Sequence, residues 1–241
     1  AVLRLKRKSD RRPYRFRTSG TITEGTGVNT IGAPTGLPLK VAENAEVGRT
    51  GILDAAALLL GRQGYGAVSL RMIAEAAGIK AGSIYYHFAS KDDIITEILD
   101  AGIQAVHDEV RDRVAALSAD APARDVFRAV LRGHLCALLE HGAYTSANVR
   151  IFGQVPPEVR DANLPVRRAY EAFLDNQLSE LQVRDAIRSD VNLPRFRLLL
   201  IGALNATLEW FDPQKGSAED LADDYADTFL NGILSQSGDN T

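Results

Sequence analysis

Residues 69–88 read S-L-R-M-I-A-E-A-A-G-I-K-A-G-S-I-Y-Y-H-F, and this stretch decides the predicted fold. Ser69 is a residue type that caps helix N-termini, and Ile73 and Ala77 give the short helix that follows it one apolar side. Gly78 follows where the chain must leave that helix in a conformation that costs other residues free energy. A second short helix is predicted from about Gly82 to Phe88. Two short helices joined by such a turn form a helix-turn-helix pattern.

The second helix of this pattern carries polar-tipped side chains that a purely structural helix seldom collects. They are Ser83, Tyr85, Tyr86 and His87. Hydroxyl and imidazole groups suit contacts with phosphates and base edges, so the pattern favours a nucleic-acid contact at this helix.

The next residues, A-S-K-D-D at 89–93, predict the start of a long helix. Ser90 has the position of its cap, and Asp93 has the spacing that returns the bond in a capping box. Lys91 then lies at a helix N-terminus, where a cation opposes the helix dipole. A passing nucleic-acid backbone would stabilise that cation, and a solvated surface lysine is the open alternative.

Helical periodicity extends on both sides of this stretch, so the predicted fold class is all-α. Upstream, a helix is predicted from about Thr50 to Gln63, with Gly64 at its end. Downstream, prolines, glycines and capping residues divide the chain into six further helices. These run from Ser90 to about Leu117, Ala123 to Glu140, Ser146 to Phe152, from behind Pro156 and Pro157 with an interruption or kink at Pro165, from Pro194 to Phe211, and from Ala218, capped by Ser217, to about Leu234.

The N-terminal segment differs from the rest of the chain. Residues 1–48 combine a basic cluster with Thr, Gly and Pro and have no apolar period, which predicts a disordered or extension arm. One hypothesis places the native start at Val41, with residues 1–40 added by a vector or by start-site assignment. A basic arm that grips a groove of DNA is the open alternative. The predicted domains are then a helix-turn-helix domain at 49–93 and a larger helical domain at 94–241.

Composition excludes several classes of protein. The 241 residues are 45% hydrophobic and 24% charged, unlike collagen, coiled-coil rods or fully disordered chains. A lone cysteine, Cys136, forms no internal disulfide, and no apolar run reaches the roughly 18 residues of a membrane helix. No apolar segment follows the N-terminal basic cluster, so no signal peptide is indicated and a cytoplasmic location is predicted. The net charge of −3 divides into +5 for residues 1–48, +1 for 49–93 and −9 for 94–241. Because the C-terminal part is acidic, a nucleic-acid contact is expected only in the N-terminal part of the chain.

Three motifs of the predicted DNA-contacting segment match a known family in order and spacing. I-L-D-A-A, G-Y-G-A-V-S-L-R-M-I-A-E-A-A-G-I-K and G-S-I-Y-Y-H-F-A-S-K-D-D, within residues 49–93, resemble the DNA-binding domain of the TetR family of bacterial transcriptional repressors. The resemblance implies DNA-binding roles for ten residues: Ser69 and Arg71 approach phosphates, Lys80, Ala81, Gly82 and Ser83 enter the major groove, Tyr85 touches bases, and Tyr86, His87 and Lys91 hold the backbone. Leu60 and Gly61 depart from the family pattern, which usually places an aromatic residue and a helix former there, but neither lies on the implied contact surface.

The C-terminal helices predict a homodimer. A helix-turn-helix reads half of an operator, so sequence-specific binding normally needs two copies whose two-fold axis matches the DNA. The last two helices are the predicted interface, because they carry apolar and small residues at spacings of three and four. The apolar members are Leu200, Ile201, Leu204, Leu208, Leu221, Ala222, Tyr225, Phe229 and Ile233. The open alternative is that these residues pack within the chain's own core.

Two further stretches resemble a narrower group. Y-T-S-A-N-V-R-I-F-G-Q-V-P-P-E-V-R and G-A-L-N-A-T-L-E-W-F-D-P are similar to TetR regulators of sterol and fatty-acid catabolism, several of which respond to acyl-CoA thioesters. Such a thioester requires an apolar tunnel and cations for its phosphates. The candidate effector-binding residues are Arg150, Phe152, Tyr170, Phe173, Asn205 and Trp210, with Arg167 and Arg168 as further cations. The alternative interpretation makes the aromatic residues core, the arginines surface or ion-paired, and Asn205 a partner of another helix.

The sequence shows no set of residues that would form an enzyme active site. Gly25, Gly27 and Gly32 imitate a nucleotide-binding loop without the preceding strand, and His134 and His141 have no further ligand at metal-binding spacing. No catalytic residue, metal or cofactor is therefore predicted. The predicted function is a one-component repressor that binds a palindromic operator as a dimer and is released by a small hydrophobic effector. The alternative is a helical small-molecule-binding protein that has lost operator binding.

Overall fold

The computed structural model describes residues 48–140 and 142–231, and the described residues form helices without any strand. The helices are α1 (Arg49–Gln63), α2 (Leu70–Ala76), α3 (Lys91–Ala115), α4 (Ala123–Leu139), α5 (Ala143–Ile151), α6 (Pro157–Val183), α7 (Leu193–Ala206) and α8 (Ala218–Asn231), with short 3-10 helices at Ala81–Tyr86 and Thr207–Glu209. The all-α prediction is confirmed. Except for Gly48, the predicted arm lies outside the described residues, as does the predicted end of the last helix near Leu234. None of the helices described here has the length and apolar character needed to cross a membrane.

A first hydrophobic core joins α1, α2, the 3-10 helix Ala81–Tyr86 and the start of α3. Ile52, Ile73 and Ile84 are fully buried in it, together with Ala147 and Ile151 from α5. The core around the helix-turn-helix therefore includes a helix from the middle of the chain, because α5 packs against α1 and α3.

Helix α3 begins at the predicted capping box and runs through the predicted domain boundary at 93/94. The Ser90 hydroxyl accepts a hydrogen bond from the Asp93 N–H at 3.1 Å, and the Asp93 carboxylate accepts one from the Ala89 N–H at 3.1 Å. The first turns of α3 pack in the first core, whereas Ile103 and Val110 belong to a second core. A rigid helix of 25 residues thus connects both cores.

The second core lies among α3, α4, α6, α7 and α8. Helices α3 and α4 approach closely at Gly133, where an added Cβ would lie 2.7 Å from the Val110 Cα. Among the described residues, four ion pairs hold α8 against α3 and α4: Arg113–Glu219 at 2.8 Å, Arg128–Asp227 at 2.7 Å, Arg132–Asp223 at 2.5 Å and Arg124–Asp227 at 3.9 Å. Ser217 caps α8 as predicted, since its hydroxyl accepts from the Asp220 N–H at 3.0 Å.

The structure differs from the predicted helices in three places. Helix α5 begins at Ala143, three residues before the predicted start at Ser146. Helix α6 continues through Pro165 without interruption. Pro165 lacks an N–H for the carbonyl of Asp161, but both residues are exposed, so water can satisfy that carbonyl. The predicted Pro194–Phe211 helix ends early, at Ala206, because the buried Thr207 hydroxyl donates to the Leu204 carbonyl at 2.6 Å and the chain tightens into a 3-10 helix.

Candidate DNA-binding surface and internal cavity

The helix-turn-helix is built as predicted, with one difference in its second element. The Ser69 hydroxyl caps α2 by accepting from the Met72 N–H at 3.3 Å, and Gly78 makes the turn with a φ of 73°. The second element is a 3-10 helix, whereas an α-helix over Gly82–Phe88 was predicted. Its bonds span three residues, from the Ser83 N–H to the Lys80 carbonyl at 2.8 Å, for example. Six residues are too few to sustain α-helical hydrogen bonding, and the 3-10 form is common at this length.

This 3-10 helix exposes most of its side chains while one anchors it. Ile84 is completely buried, but Tyr85 is 63% exposed and Tyr86 is 88% exposed. Ala81, Gly82 and His87 are exposed, and Ser83 is half-buried. Lys80, just before the helix, and Arg71 on α2 add exposed cations. Two neighbouring aromatic side chains presented to solvent beside cations are typical of a contact surface, since they gain no burial in the free protein.

Lys91 occupies a different environment from the other predicted DNA contacts. Its Nζ donates to the carbonyl of Tyr65 at 2.6 Å and lies 4.0 Å from the centroid of the Tyr65 ring. Burial lowers the pKa of Lys91, and neighbouring Asp92 opposes that change. The protein itself therefore stabilises this cation at the helix N-terminus, a third explanation beside the two from sequence. Tyr65, whose hydroxyl donates to Asp92 at 3.3 Å, was missed because nothing in its sequence spacing relates it to Lys91.

A cavity of about 360 Å³, partly open to solvent, lies among α3, α4, α5, α6 and α7. Three of the predicted effector-binding residues, Phe152, Tyr170 and Asn205, line it. Apolar walls come from residues such as Ile103, Val106, Leu138 and Ile201. The cavity lies near the lower end of the size range of small-molecule sites.

The other three predicted effector-binding residues do not line this cavity. Arg150 points to Glu209, with its Nη2 at 3.3 Å from the carboxylate. The Phe173 ring packs beside the His107 ring, with centroids 5.1 Å apart, and neither residue lines the cavity. Trp210 was expected in the core or against ligand, yet it is 55% exposed, because α7 has already ended and the chain turns outward there.

A series of hydrogen bonds between polar side chains crosses one side of the cavity. Because the Asn205 Oδ1 can only accept, the His134 Nε2 donates to it at 3.3 Å, and the Tyr170 hydroxyl in turn donates to the His134 Nδ1 at 2.8 Å. Burial lowers the pKa of His134 to about 4, so the ring is neutral. Burial also raises the pKa of Tyr170. The sequence had suggested His134 only as a discarded metal candidate with His141, which lies outside the described residues.

Two arginines also line the cavity. Arg167 stacks on Phe152, with its guanidinium carbon 3.7 Å from the ring centroid, and its Nη2 donates to the Asn148 Oδ1 at 2.9 Å. Arg197 donates through Nε to Asp175 at 2.7 Å and holds Nη1 at 3.6 Å from Glu171. The Arg167 Nε and the Arg197 Nη1 are buried and make no hydrogen bond to the protein. Burial lowers the pKa of Arg167, an effect that Glu171 opposes.

Asn148 connects the cavity to α3. Its Nδ2 donates to the Leu99 carbonyl at 2.7 Å while its Oδ1 accepts from Arg167. The residue is buried, and sequence analysis missed it. The available signal was an amide on the apolar side of α5, which in a buried position needs partners for both of its polar atoms.

The described residues contain no group of three or more His, Cys, Asp or Glu side chains that could hold a metal ion. Cys136 is buried, and burial raises the pKa of its thiol to about 11, so it is no reactive thiolate at neutral pH.

Comparisons with known proteins cover most of the described residues. Residues 52–98 match the model of bacterial regulatory proteins of the tetR family, and residues 120–233 match a tetracyclin repressor-like C-terminal domain. The HTH-type transcriptional repressor KstR2 of Rhodococcus jostii is 31% identical over 197 residues, which are 78% of this chain and 91% of that protein.

Solved structures agree with this match. The TetR family transcriptional regulator PfmR of Thermus thermophilus superposes with a TM-score of 0.68 at 25% identity, covering 78% of this chain and 98% of that one. AibR, crystallised with isovaleryl coenzyme A and operator DNA, superposes with a TM-score of 0.67 at 20% identity, covering 77% of this chain and 99% of that one.

Proposed function

The chain belongs to the TetR family of bacterial regulatory proteins, and from this premise we propose that it is a transcriptional repressor that binds a palindromic operator as a homodimer and is released by a small hydrophobic effector. The observation that carries the proposal is the exposure of Tyr85 and Tyr86 on a short helix anchored by buried Ile84. The similarity to the repressor KstR2 supports the direction of regulation. A cytoplasmic location is part of the same proposal.

In the proposed complex, the ten predicted residues divide by the part of the DNA that they contact. The 3-10 helix enters the major groove with Lys80, Ala81, Gly82 and Ser83, and Tyr85 contacts bases. Ser69, Arg71, Tyr86 and His87 hold phosphates. Lys91 has a different role, because its contacts with Tyr65 hold its side chain in place. It fixes the start of α3 and faces the DNA backbone from that fixed position.

The predicted interface used both of the last two helices, but the α8 residues Ala222, Tyr225 and Phe229 pack in or against the chain's own second core, so the proposed dimer forms through α7. Leu200 and Leu204 are buried in the chain's own core, so that part of the apolar pattern is explained within one chain. Leu198 and Leu199 are 65% and 60% exposed, and Gly202 and Ala206 continue the exposed face one and two turns further. An exposed stripe of leucines and small residues supports a second helix packing closely on it.

The dimer is tested by analytical ultracentrifugation of Leu199→Glu. Val183→Glu is the matched control, because Val183 is an exposed apolar residue at the end of α6, away from this stripe. We expect Leu199→Glu to sediment as a monomer and to lose operator affinity, while Val183→Glu remains a dimer. A dimeric Leu199→Glu protein would exclude this face as the interface.

The proposed effector is an acyl-CoA thioester whose acyl part fills the cavity. The crystallised complex of AibR with isovaleryl coenzyme A supports this class of effector. A volume of about 360 Å³ suits an acyl group rather than a whole thioester, so the nucleotide part would extend outside.

The hydrogen bonds around Asn148 support a route from the effector to the DNA-binding part. An effector that engages Arg167 competes with Asn148, which is bound to the Leu99 carbonyl on α3. The first turns of α3 also pack in the first core, together with the helix-turn-helix. Only the effector's difference in affinity between two arrangements of these helices can drive release.

The proposed function is tested by fluorescence anisotropy of the full chain with DNA from its own upstream intergenic region, over a salt series. We expect tight binding whose logarithm falls with the logarithm of salt, and a loss of about tenfold or more in Tyr86→Ala. Val183→Ala is the control and keeps the affinity. Absence of any preference over random DNA would favour the alternative, a helical small-molecule-binding protein without an operator.

A further inference from the structure

The two cations that line the cavity differ in their neighbours. Arg197 has two carboxylates within 4 Å, Asp175 and Glu171. Arg167, in contrast, makes no ion pair among the residues that the structure describes, and its only protein hydrogen-bond acceptor there is the neutral amide of Asn148. A half-buried guanidinium without a carboxylate in contact is costly, because the loss of water around its charge is only partly offset, here by the charge of Glu171, which makes no ion pair with it.

The protein provides partners for only part of the Arg167 guanidinium. Phe152 covers one face of the guanidinium, and Asn148 takes Nη2. The buried Nε has no partner, and the buried Nη1 of Arg197, on the same cavity, has none either. Both arginines thus line one cavity whose remaining lining is largely apolar, and each carries a buried donor nitrogen that no protein acceptor satisfies.

From these observations we infer that the cavity takes an apolar ligand that carries an anionic oxygen group, either a carboxylate or a phosphate, and that Arg167 binds this group. The inference rests on the proposed function and goes beyond it, because the acyl part of a thioester alone would bring no charge into the cavity. A charge-assisted hydrogen bond to an anion is stronger than one to a neutral carbonyl.

Glu171 sets the strength of this subsite. Its carboxylate lines the same cavity and already interacts with both arginines. It therefore competes with a ligand anion for Arg197 and repels that anion, and its removal improves the subsite. A neutral ligand would gain nothing from the same change.

The test uses three probes with the same chain length: decanoate, decanoyl-CoA and the neutral decanamide. Their dissociation constants are measured by titration calorimetry on the full chain. We expect at least one anionic probe to bind about tenfold or more tightly than decanamide. Arg167→Met removes this difference, and Glu171→Gln strengthens the anionic probe alone. Arg188→Met is the control, because Arg188 is an exposed arginine beyond the end of α6 and is absent from the cavity wall.

The source of the anion follows from which probe gains. Preference for decanoate identifies a free carboxylate, and preference for decanoyl-CoA identifies a phosphate of the nucleotide part; either result supports the inference. Equal binding of decanamide, a preference that persists in Arg167→Met, or no binding of any probe overturns it. Arg167→Lys, which keeps the charge, retains the preference and serves where Arg167→Met fails to fold.

Failure of this inference leaves the proposed function separately measurable. Operator binding and its loss in Tyr86→Ala need no ligand and do not involve Arg167. If decanamide releases the operator as well as the anionic probes do, the repressor stands and only the anion subsite is rejected.

Discussion

Replacing His134 with glutamine removes the most acid-sensitive buried group that the structure describes near the cavity. Burial lowers the pKa of His134 from 6.5 to about 4, while in the unfolded chain it returns to its ordinary value. Between these values the unfolded chain binds the extra proton and the folded chain does not, so the stabilisation is complete above the unfolded pKa and is lost as the pH falls toward 4. At 1.36 kcal/mol for each pKa unit, the whole interval corresponds to about 3 kcal/mol. Glutamine keeps groups that can bond to Tyr170 and Asn205, so the variant should fold without this dependence.

The assay is urea unfolding followed by circular dichroism, from about pH 7 down to about pH 4.5. The wild-type free energy of unfolding should fall by about 2 to 3 kcal/mol more than that of His134→Gln over this range. Other groups near the ring, namely Arg167, Arg197, Glu171 and the half-buried His107, are present in both proteins, so their contributions cancel in the difference. His87→Gln, which changes an exposed histidine, should keep the wild-type dependence. Parallel curves for wild type and His134→Gln would refute the argument that buried His134 is neutral and costly to protonate.

Two more predictions concern packing and ion pairs. Gly133→Ala should lower the free energy of unfolding by about 1 to 3 kcal/mol, because the added Cβ would lie 2.7 Å from the Val110 backbone. Gly61→Ala should raise the free energy of unfolding by up to about 1 kcal/mol, because the nearest neighbour of its Cβ is 3.4 Å away and alanine favours the helix. Urea unfolding of both variants checks that the two effects have opposite signs. A double-mutant cycle on Arg132 and Asp223 should give a coupling of about 0.5 to 1 kcal/mol that shrinks in high salt, and a coupling near zero would mean that this ion pair adds nothing to the packing of α8 on α4.

The features that the sequence predicted well are local ones. The capping hydroxyls of Ser69, Ser90 and Ser217 each accept from an N–H three residues ahead, and the turn at Gly78 has a positive φ. These structures depend on a few adjacent residues, so spacing is enough to predict them.

The features that it missed depend on contacts between distant segments. Lys91 is held by Tyr65, 26 positions earlier, and Asn148 bonds to Leu99 and Arg167. Trp210 was expected in the core or against ligand because of its size, but its exposure follows from where α7 stops. Helical periodicity shows which face of a helix is apolar, and it does not show which partner or cavity that face meets.

Helix α5 is the element through which the cavity and the helix-turn-helix constrain one another. One side of it is tied to the first core: Tyr144 donates to Asp54 of α1 at 2.6 Å, and the Tyr144 carbonyl lies so near Gly102 of α3 that an added Cβ would be 2.6 Å away. The other side, with Asn148 and Phe152, lines the cavity. Interfaces packed this closely shift between discrete arrangements instead of deforming smoothly, so a ligand that displaces α5 must carry α1 and α3 with it. Tenfold weaker operator binding then requires the ligand to favour the shifted arrangement by about 1.4 kcal/mol, which is within reach of one charge-assisted hydrogen bond at Arg167.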